Sequence, residues 1–463
     1  MKRGLISSYI AGIRDFTHGE GYGTILRYFF PEFITAMLLY LMPFLIDEYF
    51  IGHLKSTSTY ATLGATSTLL HLLIKISEAL PVGTVILSGQ FNGRIEYKEV
   101  GRTVRDSFWL TCLVGLVIAS FLYFGAWHIY SWYEVPAEMI KLGVPFLHLR
   151  AISVFFMVVC MALIGFLRGI KNTRVPMYIF IIGALIFIGC DYIFIFGKLG
   201  FSPMGLQGSA WASIIQYFVM LVLALAYVLF DKSNQKYGIE LFSVFKSPWY
   251  IKELMYLGWP VLLDKAIIAS AYIWLCKMIG PMGTSAVASY NVINHMERFA
   301  ITPATAFATV ITILVSNDYG VKNWQAIKSN LKKVIFLTSL MVLAILMFFS
   351  SYPTHIIGLF DRTGDFTDFA ARAFPILSVL AYFDLLQLLL SGALRGAANV
   401  KTVMLTRMVV YLGYFVPVSY LLAHSPIQDQ LVKFILIYGS FYVGSALMTI
   451  VYINRFRSEN WKI

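Results

Sequence analysis

The chain has 463 residues, of which 59% are hydrophobic and only 13% are charged, and its mean hydropathy is +0.73. Soluble domains carry roughly a quarter charged residues, so this composition excludes an ordinary soluble protein and predicts an integral membrane protein. The formal net charge is +12, but the basic residues are spread over the connections between apolar runs. They form no nucleic-acid-binding patch, and no nucleic-acid partner is expected.

Twelve apolar runs are long enough to cross a bilayer as helices, which takes about 20 largely apolar residues. In chain order these runs are 24–52, 60–90, 103–126, 143–167, 174–197, 206–230, 251–278, 284–317, 331–351, 369–394, 402–423 and 430–453. Before them, residues 1–23 form a predicted cytoplasmic segment. Its apolar residues recur at helical spacing (Leu5, Tyr9, Ile13 and Phe16), which predicts a helix on the membrane surface.

A repeat at half the length of the chain predicts two similar halves. Leu167–Met177 reads LRGIKNTRVPM and Leu394–Met404 reads LRGAANVKTVM, at an offset of 394 − 167 = 227 residues. Each copy ends one apolar run and opens the next. The predicted fold is therefore all-α, with twelve transmembrane helices in two pseudo-symmetric six-helix bundles, 24–230 and 251–463, the second with a short cytoplasmic tail. The polar connection 231–250 is a predicted cytoplasmic linker.

Lysine and arginine fix the predicted orientation of the chain. Twenty-five of them, including Arg168, Arg395 and Arg407, lie in connections on the side of the N-terminus, and eight, including Arg150, lie on the other side. Because cytoplasmic loops carry the excess of positive charge, both termini are predicted to be cytoplasmic, in the plasma (inner) membrane of a cell. The basic residues of the repeat then hold its loop on the cytoplasmic side.

Ionisable residues inside the predicted spans are the candidate functional groups, since a charge in hydrocarbon is costly and usually faces a cavity or another charge. The first half holds Asp47, Glu48, His71, Lys75, Glu78 and Asp191. The second half holds Asp264, Lys265, His295, Glu297, Arg298 and Asp384, with Gln387 one turn after Asp384.

Three of these acids, Asp47, Asp191 and Asp384, have no basic residue within a turn on their own helix, which favours function. Five of the other residues allow two interpretations, either buried salt bridges that fix helix packing or functional charges. These five are Lys75, Glu78, Lys265, Glu297 and Arg298. A buried carboxylate can take up and release a proton, and two carboxylates with a hydroxyl or amide can hold Na⁺.

No sequence motif indicates an enzyme. The chain has no Walker loop, HExxH, GxSxG or CxxC pair, so neither catalysis nor nucleotide-driven pumping is expected, and no cofactor. The four cysteines lie in apolar runs without metal-ligand spacing.

The order and spacing of several segments resemble the MATE family of multidrug and toxic-compound extrusion transporters. These segments are IDEYFIGHL, FLRGIKNTRVPM, DYIFIFGKLGF followed by GLQGSAWAS, and FDLLQLLLSGALRG. The resemblance runs from about Phe30 to Ile453. It implies two bundles forming a V, and antiport of organic, cationic or amphipathic compounds against Na⁺ or H⁺ by alternating access.

Within that resemblance, Asp47 and Asp191 match the family's acids of helices one and five and would bind the coupling ion, with Ser213 near them. They would be metal ligands only if the ion is Na⁺. Asp384 matches an acid of the C-terminal cavity, where Asp264 and Gln387 would join it, and Lys75 and Glu78 would contribute to the substrate cavity.

Phe187 stands where Na⁺-binding members tend to have Asn. Together with Lys75, this departure favours H⁺ over Na⁺. The expected partners are a small organic substrate and the lipid bilayer, and the chain is expected to be a monomer. A flippase for lipid-linked precursors is the alternative function, which Lys75, Lys265 and Arg298 would favour.

Overall fold

The structure, a computed structural model, describes residues 9–10, 12–15, 17–40, 42–54, 56–132, 135–245, 250–361 and 364–462. Within these ranges, the side chains of several residues are left undescribed, among them Glu48, His71, Lys75 and Glu78. Helices joined by short loops make up the described chain, and no strand is found in it. This confirms the prediction of an all-α fold.

The α-helices in chain order are α1 (Tyr22–Tyr40), α2 (Met42–Gly52), α3 (Thr57–Gly93), α4 (Tyr97–Trp132), α5 (Ala137–Gly169), α6 (Arg174–Phe196), α7 (Leu206–Phe230), α8 (Ile251–Ile279), α9 (Thr284–Gly320), α10 (Trp324–Ser351), α11 (Pro353–Gly358), α12 (Thr367–Gly396), α13 (Val400–Val410), α14 (Val416–Ala423) and α15 (Gln430–Arg457). A π-helical turn, Tyr411–Phe415, joins α13 to α14. Short 3₁₀ helices lie at Lys232–Tyr237, Leu241–Phe245 and Gly280–Met282.

Within the described chain, long helices match the twelve predicted spans. Together α1 and α2 cover the first span, and α13, the π turn and α14 cover the eleventh. Several helices begin or end one or two turns outside the apolar run, because their terminal turns are polar and a hydropathy criterion leaves them out. By length and composition, nine helices among the described residues are able to cross a membrane.

The chain packs into two compact units. We call Phe30–Trp259 the N-unit, and Met1–Phe29 together with Pro260–Ile463 the C-unit. Both α1 and α8 are divided between the units, since the first turns of α1 belong to the C-unit and the first turns of α8 to the N-unit.

The connection after α7 is packed against the N-unit. On α4, the Trp109 indole donates to the Leu241 carbonyl at 2.6 Å. The Tyr250 amide donates to Asp106 Oδ2 at 2.7 Å. The polar segment that the sequence marks as a linker is thus hydrogen-bonded to α4 at Leu241 and at Tyr250.

Each unit has a central helix. In the N-unit, α5 packs against α3, α4 and α7, and in the C-unit, α12 packs against α9 and α15. In a bilayer the hydrophobic effect does not drive helices together, so such contacts depend on close van der Waals packing of small residues.

The two copies of the repeat make these contacts possible. A Cβ atom on Gly169 of α5 would lie 2.8 Å from Ser88 Cβ of α3. A Cβ atom on Gly396 of α12 would lie 2.7 Å from the Thr312 carbonyl oxygen of α9. One turn earlier, a Cβ atom on Gly165 or Gly392 would lie 3.0 Å or 2.7 Å from the same partner helices. The Gly-x-x-x-Gly spacing therefore sets the approach of two helix pairs.

The arginine of each copy forms a buried ion pair with the first long helix of its own unit. Arg168 Nη2 lies 2.8 Å from Glu32 Oε2 of α1. Arg395 Nη2 lies 2.5 Å from Asp264 Oδ2 of α8. The repeat consequently joins three helices in each unit, a role beyond supplying loop charge.

The loops that follow α3, α5, α9 and α12 begin with the same backbone conformation. Ile95, Lys171, Lys322 and Ala398 all have left-handed φ angles between 56° and 65°. In each case the next residue donates its amide to a carbonyl five residues back, as in Asn172 to Leu167 at 2.8 Å and Asn399 to Leu394 at 2.9 Å. This is the Schellman end of a helix, made here without glycine at the left-handed position.

Both ends of the described chain are held by the C-unit. Lys333 of α10 is fully buried, and its ammonium donates to the carbonyls of His18 and Glu20, each at 3.0 Å. Trp461 is also fully buried, and its carbonyl accepts from Asn399 Nδ2 at 3.0 Å. Leu5 and Phe16 lie outside the described residues, so the membrane-surface helix stays a prediction.

Candidate functional site

In the N-unit, Asp47 of α2 lies in a polar cluster inside the bundle. Arg150 of α5 donates from Nη2 to Asp47 Oδ2 at 2.6 Å and to Ser209 Oγ at 3.0 Å. Its Nη1 donates to Ser213 Oγ, and the Ser209 hydroxyl donates to the second oxygen of Asp47. Asp47 is 7% exposed and Arg150 is also 7% exposed. The negative charge of Asp47 is therefore compensated by a buried guanidinium and one hydroxyl.

Asp191 of α6 lies beside this cluster and is 0% exposed. It interacts electrostatically with Asp47 and Arg150 and faces Ser209. Neither carboxylate oxygen accepts a hydrogen bond of good geometry from a described residue. Two carboxylates thus share one guanidinium, and a second positive charge would balance the cluster.

The structure brings the predicted coupling residues together, and their role in coupling stays a prediction. Asp47 and Asp191, which lie on different helices, are close enough to interact, and Ser213 contacts Arg150. Arg150 and Ser209 were missed by sequence reasoning, which counted Arg150 with the charges at the outer helix ends. Since α5 begins at Ala137, Arg150 is more than three turns inside the helix. The predicted span began at residue 143, although the helix already begins at Ala137. The residues between these two positions were the signal that could have placed Arg150 inside the helix.

Lys75 and Glu78, the other N-terminal candidates, have side chains outside the described part of the structure. Their proposed contribution to a substrate cavity stays a prediction. Among the described residues, no group of three or more His, Cys, Asp or Glu could hold a metal ion.

In the C-unit, Asp264 of α8 is 1% exposed and lies between two arginines. Besides the ion pair with Arg395, its Oδ1 lies 2.8 Å from Arg407 Nε of α13. Asp264 was predicted to attract cations in a cavity. Its negative charge already forms ion pairs with two arginines, so it is not an uncompensated charge. Arg407, which the sequence analysis counted as a loop charge, is itself fully buried.

Arg407 also connects Asp264 to Asp384. Its Nη2 donates to Gln387 Oε1 at 3.0 Å. Gln387 Nε2 donates to Asp384 Oδ1 at 3.1 Å, and Ser445 Oγ of α15 donates to the same oxygen at 2.9 Å. The three predicted residues of the C-terminal half therefore belong to one network of ion pairs and hydrogen bonds, in which two acids are balanced by Arg395 and Arg407.

The remaining charged candidates of the C-unit differ from one another. Glu297 of α9 is buried and accepts from the Tyr438 hydroxyl at 2.5 Å, with no ion pair to any described basic residue. Arg298 is exposed, and its guanidinium lies 5.9 Å from the centre of the Tyr272 ring. Lys265 interacts electrostatically with Asp264. Of the two interpretations left open, buried salt bridges thus do not describe Glu297.

Within the described chain, the helices that match the twelve predicted spans fall into two units, each with buried acids and ion-paired arginines, as in a polytopic membrane protein. The model of the MatE family matches residues 33–193 and 260–421, well over half of the chain. The chain belongs to the MatE family. Membership makes it a transporter and not an enzyme, as predicted.

Proteins of known name resemble the chain over most of its length. The multidrug resistance protein NorM of Photobacterium profundum is 25% identical over 381 residues, which cover 81% of this chain and 82% of that protein. The multidrug resistance protein MdtK of Yersinia pseudotuberculosis is 24% identical over 379 residues, again 81% and 82%.

Solved structures agree on the fold. A crystal structure of MATE in the bent conformation superposes with a TM-score of 0.86 over 97% of both chains, at 20% identity. A MOP superfamily transporter from Pyrococcus furiosus, described as having a binding pocket of reverse polarity, gives a TM-score of 0.84 at 19% identity over 94% of this chain and 95% of that one. The MATE fold predicted from sequence is confirmed.

Proposed function

We propose that the chain is a proton-coupled exporter of small organic compounds, cationic or amphipathic in character, and that Asp191 binds the coupling proton. The observation that carries this proposal is the buried Asp191 carboxylate, whose oxygens accept no hydrogen bond of good geometry from the described residues. The multidrug-resistance names of NorM and MdtK support the substrate class.

Arg150 supports H⁺ over Na⁺ as the coupling ion. Sodium needs several oxygen ligands, and the oxygens of Asp47 already accept hydrogen bonds from Arg150 and Ser209. A fixed guanidinium also repels a second cation at close range. A proton needs only one carboxylate oxygen, and Asp191 supplies two.

The proposed mechanism follows from charge balance in the N-unit. With Asp191 ionised, the cluster of Asp47, Asp191 and Arg150 carries one uncompensated negative charge inside the bundle. Protonation removes that charge and stabilises the arrangement in which the cluster is closed to water. An organic cation that binds the other arrangement favours release of the proton, so the two ligands oppose each other through one equilibrium.

Asp384 and Gln387 are the proposed polar groups for substrate in the C-unit, since Asp384 is only partly buried. Asp264 would act there indirectly, by holding Arg407 in place. The lipid-precursor flippase, which needs free basic groups for pyrophosphate, is less well supported: Arg395 and Arg407 are ion-paired, and Lys265 interacts with Asp264.

The excess of Lys and Arg in alternate connections supports cytoplasmic termini in an inner membrane. A monomer is the simplest assembly that contains both clusters, since each lies within one chain.

Efflux from proteoliposomes tests the proposed function. A fluorescent organic cation should leave the vesicles when a pH gradient is applied at equal Na⁺, and not when a Na⁺ gradient is applied at equal pH. Asp191→Asn should abolish the pH-driven flux while the protein stays folded, and Asp47→Asn should also abolish it. Asp368→Asn, which alters an exposed ion pair with Arg372, serves as the control and should transport normally. Normal pH-driven flux in Asp191→Asn would refute the assignment.

A further inference from the structure

A second buried carboxylate, Glu297 of α9, has no part in the mechanism above. It is 4% exposed. Its Oε2 accepts from the Tyr438 hydroxyl at 2.5 Å, and its Oε1 accepts no hydrogen bond of good geometry from any described residue. The C-unit therefore contains an acid whose second oxygen lacks a good donor, as the N-unit does at Asp191.

The groups that face Glu297 are aromatic, neutral or acidic. Tyr438 and Tyr442 approach it from α15, and Asp384 interacts with it from α12. Tyr272 of α8 and Tyr290 of α9 interact with it as well. Tyr438 stacks on Tyr442 with ring centres 5.6 Å apart, and Tyr290 packs against Tyr438 at 5.6 Å. Glu297 thus lies within a cluster of tyrosine rings.

The basic residue next to Glu297 does not neutralise it. Arg298 follows it in sequence, but successive residues point about 100° apart on a helix. The Arg298 side chain is exposed and directed at the Tyr272 ring. No described basic group lies within ion-pair distance of Glu297.

A comparison within the chain shows what a structural buried glutamate looks like. Glu32 is 2% exposed and forms an ion pair with Arg168. Its charge is compensated by that pair. An ionised Glu297 would have a tyrosine hydroxyl as its donor and a second acid, Asp384, in its vicinity. The ionised form would place an uncompensated charge among buried aromatic rings, whereas the neutral acid carries no charge.

We propose that Glu297 is a second proton-binding site, located in the C-unit and separate from Asp191. Two protons would then be carried in each transport cycle, one by each unit. The transport consequence rests on the proposed function, but proton binding itself does not, since it can be measured without substrate or flux.

Infrared spectroscopy of the purified protein in lipid tests the binding site. Protonated carboxyl groups absorb infrared light through their carbonyl stretch, and this band shifts in D₂O. Titration from about pH 5 to about pH 9 should remove this absorption as the groups lose their protons. Glu297→Gln should lack one component of this change, Asp191→Asn another, and the double variant both. Tyr438→Phe should shift the Glu297 component by removing its donor. Glu32→Gln, the matched control, should lose none, because its carboxylate is ion-paired.

The proposal is overturned if the Glu297→Gln difference spectrum equals that of the unmodified protein. Glutamine has the shape of the protonated acid, so this variant should fold. If it does not, the Tyr438→Phe shift decides the assignment, and an unshifted spectrum overturns it.

Accumulation experiments test the stoichiometry separately. At zero membrane potential and one unit of pH difference, two protons per substrate give about a 100-fold substrate ratio and one proton about a tenfold ratio. Glu297→Gln should lower the ratio tenfold and still transport. No pH-driven transport by the unmodified protein would refute the proposed function and leave the infrared result standing. An unchanged ratio in Glu297→Gln would refute the two-proton cycle.

Discussion

Arg150 and Asp47, which are 103 positions apart in sequence, form a buried ion pair between α5 and α2. The distance from Arg150 Nη2 to Asp47 Oδ2 is 2.6 Å. The guanidinium acts as a permanent cation among the acids of the N-unit. In the proposed mechanism, Asp191 is therefore the carboxylate that binds the coupling proton.

Arg150→Gln should convert the cluster into one that binds Na⁺, because two carboxylates and two serine hydroxyls would face each other without a fixed cation. NaCl should then raise the melting temperature of the variant relative to choline chloride at equal ionic strength. At tenfold excess over the Kd, binding stabilises by about 1.4 kcal/mol. The unmodified protein and Arg372→Gln, which changes an exposed pair, should show no difference between the salts. Equal melting temperatures for Arg150→Gln in both salts would contradict this view of Arg150.

Gly396→Ala should destabilise the C-unit. The added Cβ would lie 2.7 Å from the Thr312 carbonyl and 2.9 Å from Val315 Cβ, and a backbone oxygen inside a helix cannot easily move. Overpacking of this kind costs about 1–3 kcal/mol. Gly189→Ala is the matched helical control, because no described atom lies within 4 Å of its added Cβ. Thermal unfolding in detergent should rank Gly396→Ala well below Gly189→Ala, and equal stability would show that α9 and α12 can separate at no cost.

Arg168→Met should destabilise more than Arg395→Met. Removing one partner of a buried pair leaves the other charge uncompensated, at a cost of about 3–5 kcal/mol. Glu32 has Arg168 as its ion-pair partner among the described residues, whereas Asp264 retains Arg407 when Arg395 is lost.

Chemical denaturation of the two variants measures this difference. The double variant Glu32→Gln with Arg168→Met should recover part of the loss, since no unpaired charge remains. If Arg395→Met proves the more damaging change, Arg407 does not compensate Asp264 as its 2.8 Å distance indicates.

The end of the chain should detach in strong acid. Glu459 lies 2.6 Å from Lys328 Nζ and 2.7 Å from Lys462 Nζ, and these bonds lower the pKa of Glu459 from 4.5 to about 2. A lowered folded-state pKa adds stability above the unfolded pKa and loses it as the pH falls towards 2. Iodide quenching of Trp461, taken as the difference from Trp461→Phe, should stay low at pH 5 and rise near pH 2. Glu459→Gln should show raised quenching already at pH 5, and a pH-independent difference would disprove the link.

The sequence predicted the helices well because the property that places a helix in a bilayer is local. Every predicted span is matched, and Asp47 and Asp191 were identified as isolated acids in apolar runs. The partners of these acids were not predicted. Arg150 and Arg407 resemble ordinary topogenic charges near the ends of apolar runs, and Glu32 lies in the first turns of its span. Their pairing depends on contacts between distant helices, which periodicity and hydropathy do not report.

Lys333 binds the carbonyls of His18 and Glu20 across more than 300 residues of sequence. His18 and Glu20 therefore acquire this partner only after α10 has been synthesised and inserted. Until then, the start of α1 lacks the C-unit contacts that hold it in the finished protein. Membrane assembly of this chain cannot be completed half by half, because the C-unit combines residues 18–29, which precede the N-unit in sequence, with helices that follow it.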